Sequence, residues 1–153
     1  MEQVHVRHMR TWYGMNGTVV IGPGFRHRAG LGALLLPHPP VVNQFLRHGL
    51  PETIRLDLNL RHEVSHLQTL PLAFFYSAAL AAQTILSNHP GCTGIVIAFA
   101  GSFAAWEIMS EALAALGDFG TYRRAYRGVT PIPRVIFWSL LGALASAPWY
   151  IMY

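Results

Sequence analysis

The stretch Arg61-His62-Glu63-Val64-Ser65-His66 holds two histidines four residues apart, with a glutamate directly after the first. On a helix, positions i and i+4 project from one face, so both imidazoles can reach a single metal ion. Zinc suits neutral imidazole donors and brings the pKa of water down to about 7. Glu63 stands beside the two ligands, placed to take a proton from water and deliver it to a leaving amine. Hydrolysis at such a centre also needs a third protein ligand and one open position. Trp106-Glu107-Ile108-Met109-Ser110-Glu111 offers two carboxylates, Glu107 and Glu111, again at helical spacing of four. The cofactor these residues point to is Zn2+, and the chemistry is peptide-bond hydrolysis by activated water without a covalent intermediate.

The elements that would hold these side chains are strongly apolar. Of 153 residues, 52% are apolar and only 12% charged, and the mean hydropathy is +0.32. Soluble domains carry about 25% charged residues. One cysteine, Cys92, excludes a disulfide scaffold. Abundant aliphatic and aromatic residues exclude disorder. The positive residues are 11 arginines and no lysine, too few and too dispersed for a nucleic-acid face, so no nucleic-acid partner is expected. Residues 70–87 and 135–153 contain no formal charge and are long enough to cross a bilayer, which takes about 20 residues. Residues 93–106 are also uncharged, and span only if their helix runs on past Glu107 through 116. Three such runs exceed what the core of one soluble helical domain of this size can bury. Trp149, Tyr150 and Tyr153 have the character of an interfacial belt.

Charge placement gives a topology. Arg7, Arg10, Arg26, Arg28, Arg47, Arg55 and Arg61 precede the first run, and Arg123, Arg124, Arg127 and Arg134 fall between the second and third. The link from Asn88 to Gly91 has no arginine. All eleven therefore lie on one side, which the positive-inside rule assigns to the cytoplasm. The expectation is a prokaryotic cytoplasmic-membrane protein with its N-terminus inside, its C-terminus outside and its site at the cytoplasmic face. The start, MEQVHVRHMR, lacks the apolar stretch of a secretory leader. His62 and His66 come just before the first run and Glu107 and Glu111 at the end of the second, so both pairs reach the same boundary. An acidic pair ending an apolar helix needs a partner. A zinc ion with two imidazoles is one candidate, and a salt bridge to Arg123, Arg124 or Arg127 is another.

Residues 1–50 read differently. Asn16-Gly17 is a hairpin-turn signal before the β-branched run Gly17–Gly22, with residues 4–13 as the partner strand. Residues 31–36 read as a third strand, ended by Pro37, Pro39 and Pro40. Pro51-Glu52 opens a helix expected to reach about Thr69, where Pro71 kinks or restarts it. The expected fold is mainly α and integral to the membrane. It has about three transmembrane helices and a small N-terminal hairpin or sheet, in one domain over residues 1–153 (β-rich over 1–50, helical over 51–153).

HExxH followed at a distance by Glu-x-x-x-Asp/Glu resembles the gluzincin metallopeptidases. The likeness is to the membrane group of HtpX and the CAAX prenyl proteases, and to the very small minigluzincins. It covers roughly residues 52–127, including Glu107 to Tyr122 (EIMSEALAALGDFGTY). The resemblance implies that Glu107 is the third zinc ligand and that Glu111 orients a ligating histidine, although the family usually has Asp there. It implies that an edge strand holds substrate, with Gly17–Gly22 as the candidate. It also implies an oxyanion stabiliser, for which Tyr122, Arg123, Arg124, Tyr126 and Arg127 compete with each other and with a role in lipid-headgroup contact. The substrate expected is a peptide or protein associated with the bilayer.

Other readings stay open on sequence alone. The polar cluster could pack the helices of a non-catalytic membrane scaffold, or bind zinc in a pseudo-peptidase. A site-2-type intramembrane protease would need a later Asp ligand in an apolar helix, and Asp118 lies in a polar setting. His5-x-x-His8 resembles a fragment of a desaturase histidine box, but His27, His38, His48 and His89 supply no further box, so a di-iron site is not expected.

Overall fold

A computed structural model describes residues 4–22, 28–37, 46–87, 91–127 and 129–151. Four strands form one antiparallel sheet: β1 (His5–Arg10), β2 (Asn16–Ile21), β3 (Arg28–Leu31) and β4 (Leu34–Pro37). Four helices follow: α1 (Glu52–Leu86), α2 (Cys92–Gly117), α3 (Phe119–Ala125) and α4 (Ile132–Ile151). The chain is thus mainly helical, and α1, α2 and α4 are long and apolar enough to cross a membrane. Tyr153, His27, His38, His89, Arg26, Pro39, Pro40 and most of the link before Gly91 lie outside the described residues.

The sheet departs from expectation in three places. Asn16 is paired with Arg10 inside the β1–β2 ladder, so Asn16-Gly17 is strand and not turn. The chain reverses over residues 11–15, where Gly14 takes φ +88° and the Thr11 hydroxyl donates to the Met15 carbonyl at 3.0 Å. Only glycine enters that region without strain. The single strand expected over 31–36 is two strands, with the chain turning at Gly32 and Ala33. The sheet order β1-β2-β3-β4 puts β2 in the interior. Gly17–Gly22 therefore has both its flanks bonded and cannot be the substrate-accepting edge, because a strand adds only where N–H and C=O groups are unpaired.

The sheet packs on the first half of α1. Val19, Ile21 and Leu67 are buried, with Leu56, Leu60 and Val64 packed around them. These α1 positions recur at helical spacing and form one stripe. The face bearing Leu58, His62 and His66 turns away from the sheet, and Leu58 packs against Leu50 and Tyr126.

Pro71 does not end α1, which runs unbroken for 35 residues. A proline inside a helix leaves the carbonyl at i−4 without its donor and strains the neighbouring bond. Here the i−4 carbonyl, Leu67, accepts from the Tyr13 hydroxyl at 2.6 Å, and Gln68 accepts from the Trp12 indole at 2.8 Å. The hairpin tip therefore supplies what the proline removes. At Pro148 in α4 the i−4 carbonyl is Leu144, and the tyrosine bond falls on the next residue instead. Ala145, three residues before it, accepts from the Tyr76 hydroxyl at 2.6 Å, and the Trp149 indole donates to Tyr76 at 2.9 Å. Trp149 is thus turned towards α1 and not simply an interfacial anchor. Pro148 seats against Gly101 of α2, where a Cβ would come within 2.4 Å of the proline ring.

The three long helices keep apolar side chains on their outsides: Phe74, Phe75, Ile85, Ile95, Phe99 and Leu140 are all exposed. Only 22%, 28% and 11% of the most apolar stretches of α1, α2 and α4 are buried within the protein, so most of their apolar surface faces outward.

The Tyr13 bond gives a quantitative expectation. Tyr13→Phe should destabilise the protein by about 1–3 kcal/mol, the range for leaving a buried carbonyl without a partner. In a Pro71→Ala background the restored N–H serves Leu67, so the same substitution should cost clearly less. Unfolding in detergent across the double-mutant cycle measures the coupling.

Candidate metal centre

Helices α1 and α2 are joined over residues 87–91 and pack along each other, bringing His62 and His66 against Glu107, Ser110 and Glu111. The Nε2 atoms of His62 and His66 lie 3.0 Å apart. Glu107 Oε2 lies 3.1 Å from the first and 3.3 Å from the second. Among the described residues this is the one group of three or more His, Cys, Asp or Glu side chains able to hold a metal ion. All three residues are buried.

The outer ring nitrogens are tied down. His62 Nδ1 lies 2.7 Å from Glu111 Oε2. A carboxylate only accepts, so Nδ1 donates to Glu111, and in the neutral imidazole Nε2 keeps its lone pair. His66 Nδ1 lies 3.0 Å from Ser110 Oγ, whose own proton goes to the Trp106 carbonyl at 2.8 Å. With that proton on the carbonyl, Nδ1 of a neutral His66 donates to Ser110 and its Nε2 faces inward with its lone pair. Trp106 sets its ring edge-on against His66 with centroids 4.7 Å apart, and its indole donates to the His66 carbonyl and to Thr69 Oγ1, both at 3.2 Å. Ordered partners on the far nitrogen of a ligating histidine fix its tautomer and rotation.

The arrangement fits zinc by distance and by chemistry. Tetrahedral zinc with bonds of about 2.0–2.1 Å separates its ligand atoms by about 3.3 Å. The three observed separations fall within a few tenths of an ångström of that value. Two nitrogen lone pairs and a carboxylate oxygen at such range repel unless a cation or protons lie among them.

Glu111 sits in a cradle. Arg47 donates to Oε1 at 2.5 Å and to Oε2 at 2.7 Å, and Tyr122 donates to Oε1 at 2.5 Å. Arg47 also donates to the Tyr126 hydroxyl at 2.8 Å, which in turn donates to the Leu46 carbonyl at 3.0 Å. Burial opposes the charge on Arg47, but the fork to Glu111 and that carboxylate's charge outweigh it and hold the guanidinium above its ordinary pKa. Burial, reinforced by the Glu111 charge, pushes the Tyr122 phenol up, so it remains a donor.

The expected residues divide accordingly. His62, His66, Glu107 and Glu111 come together, and Glu63 is buried beside them, close enough for its carboxylate to act on both rings. Of the candidate oxyanion donors, Tyr122 and Tyr126 belong to the Glu111 cradle, whereas Arg123, Arg124 and Arg127 are exposed. Glu107 is partnered by His62 and His66, and the arginine that pairs with Glu111 is Arg47, not one of those three. Asp118 stands outside the cluster: it accepts from the Thr121 amide at 3.0 Å and pairs with Arg61 at 3.4 Å. His8 is on the sheet, bonded to Thr18 at 3.0 Å.

Three contributors were not singled out from sequence. Ser110 lies on the face of Glu107 and Glu111, three residues after the first, and helical spacing alone could have found it. Trp106 and Arg47 carried no such signal. Comparison with protein-family models, curated proteins and solved structures finds no match to this chain.

Removing Glu111 leaves a fully buried guanidinium without its counter-charge. Glu111→Ala should therefore cost about 3–5 kcal/mol of stability, read by thermal or denaturant unfolding in detergent. Arg123→Ala, at an exposed position, should stay within about 0.5 kcal/mol.

Proposed function

We propose that this chain is a zinc-dependent integral-membrane endopeptidase of minimal gluzincin type, hydrolysing peptide bonds in membrane-associated or unfolded chains near the cytoplasmic face. The observation that carries the reading is the convergence of His62 Nε2, His66 Nε2 and Glu107 Oε2, with the outer nitrogen of each ring engaged by Glu111 or Ser110. Charge supports it. With neutral imidazoles, buried Glu63, Glu107 and Glu111 set three negative charges against one positive charge on Arg47, which a divalent cation would balance.

His62, His66 and Glu107 would hold the ion. Zinc bound there would act as a Lewis acid towards a carbonyl and make water acidic near neutral pH. Glu63 would take the proton from the attacking water and hand it to the departing amine nitrogen. Glu111 and Ser110 would keep both ligand rings in register. The same HExxH and distant glutamate underlie the resemblance to the HtpX and CAAX prenyl protease group. Outward apolar faces on α1, α2 and α4 support insertion in a bilayer, and the one-sided arginines support an N-terminus inside and a C-terminus outside.

Protein purified without added metal should carry about one zinc per chain, removable by chelator. Glu63→Ala should keep the metal and lose proteolysis of an unfolded substrate, a loss of at least the roughly 100-fold that general-base catalysis contributes. His66→Ala should lose both. Full activity in Glu63→Ala would sink the mechanism. Zinc without cleavage would indicate a pseudo-peptidase, and no zinc with chelator-insensitive stability a membrane scaffold.

A further inference from the structure

Arg47 enters the site from the turn just before α1, 64 positions from Glu111, and its side chain is fully buried. Its two terminal nitrogens grip both oxygens of Glu111, at 2.5 and 2.7 Å. The second of those oxygens, Oε2, is the one that receives the His62 Nδ1 proton at 2.7 Å. A bidentate fork fixes the plane of a carboxylate as well as its position. The guanidinium is fixed in turn: Nη1 donates to Tyr126 at 2.8 Å and Nη2 reaches the Leu58 carbonyl at 3.5 Å. The Tyr126 hydroxyl passes its own proton to Leu46, the residue preceding Arg47. From the turn to the metal-facing nitrogen of His62, every link is a directed hydrogen bond.

Resting on the zinc reading above, we propose that Arg47 is a positioning residue of the metal centre with two effects. Its fork orients Glu111, and through Glu111 the ring of His62. Its charge lowers the buried site from three negative charges to two, the charge that a divalent ion neutralises. Lysine would keep the second effect and lose the first, because an ammonium presents no planar fork. Glutamine would lose both. An ordinary structural salt bridge would give neither pattern, since its loss would lower stability without selecting among metal occupancies.

The test is zinc affinity by competition with a chromophoric chelator, on full-length protein in detergent, beside the visible absorption of the cobalt-substituted protein. Circular dichroism confirms that each variant is folded. R47Q should bind zinc about 10–100-fold more weakly, the range for loss of an outer-shell partner. R47K should fall between R47Q and wild type, with a shifted cobalt spectrum. R47Q/E111Q removes one charge of each sign, restores the net balance, and should bind zinc more tightly than R47Q. Wild-type affinity and an unchanged cobalt spectrum in folded R47Q would overturn the proposal. A double variant no tighter than R47Q would overturn its charge-matching half. If R47Q does not fold, R47K decides the fork: wild-type affinity and spectrum there overturn it. Wild-type protein that binds no zinc would instead overturn the metal reading itself, so the two failures are distinguishable.

Discussion

A carboxylate withdrawn from water must find positive charge or several donors, or its burial costs several kcal/mol. This chain, with only seven acidic residues, buries Glu63, Glu107 and Glu111 together. Much of the architecture delivers their partners. The antiparallel pairing of α1 and α2 brings imidazoles to Glu107, and the turn before α1 brings Arg47 to Glu111. The segment after α2, capped by Asp118, swings Tyr122 and Tyr126 back over the same carboxylate and guanidinium. α1, α2, the turn before α1 and the segment after α2 meet at this point, and each brings a group that pairs with the carboxylates.

A second constraint is backbone satisfaction within apolar surroundings, where no water replaces a lost donor. Two prolines lie inside the long helices. At Pro71 a tyrosine and a tryptophan bond the carbonyls at i−4 and i−3, and at Pro148 a tyrosine held by a tryptophan bonds the one at i−3. Both rings offer a large apolar body and one polar hydrogen, so they satisfy a carbonyl without adding further polar surface. At Pro71 this does more than repair a helix. Trp12 and Tyr13 bond the carbonyls of Gln68 and Leu67, the two residues directly after His66. The sheet is thereby tied to α1 next to the second histidine, which couples the N-terminal part of the chain to the rotation of the face bearing His62 and His66.

Much of this was legible from the chain itself. HExxH and the two glutamates carry their geometry in their spacing, because a four-residue interval is one helical face whatever the surroundings. Uncharged runs of bilayer length marked α1 and α4, and a shorter one marked α2, whose helix does run on past Glu107 to Gly117. What could not be read depends on tertiary partners. Pro71 looked like a helix end because its rescue comes from residues 58 and more positions earlier. Asn16-Gly17 looked like a turn because the pair favours one, yet the reversal is placed by Gly14 and the Thr11 bonds. That β2 is interior follows from splitting one expected strand into β3 and β4, which no local pattern announced. Arg47 was one arginine among eleven until distance set it against Glu111.

The level of the cluster along α1 bears on what chemistry it can support. Arg55, Asp57 and Arg61 precede it, and Arg61 spans to Asp57 and Asp118 at half-exposed positions. Beyond His66, no formally charged residue occurs before the end of α1. The face carrying the candidate ligands thus lies at the transition from a polar helix end to an apolar one. Hydrolysis consumes water, and a centre deep in hydrocarbon would require a separate route for it. Under the proposed hydrolysis, water would come from the polar end of α1, and a hydrophobic substrate chain would lie along the apolar halves of α1, α2 and α4. A buried, low-dielectric setting also strengthens every electrostatic contact within the site. For the proposed hydrolysis, this position would reconcile two opposing needs, dryness around the charges and supply of the reactant, because the cluster starts at His62, directly after the boundary that Arg61 marks.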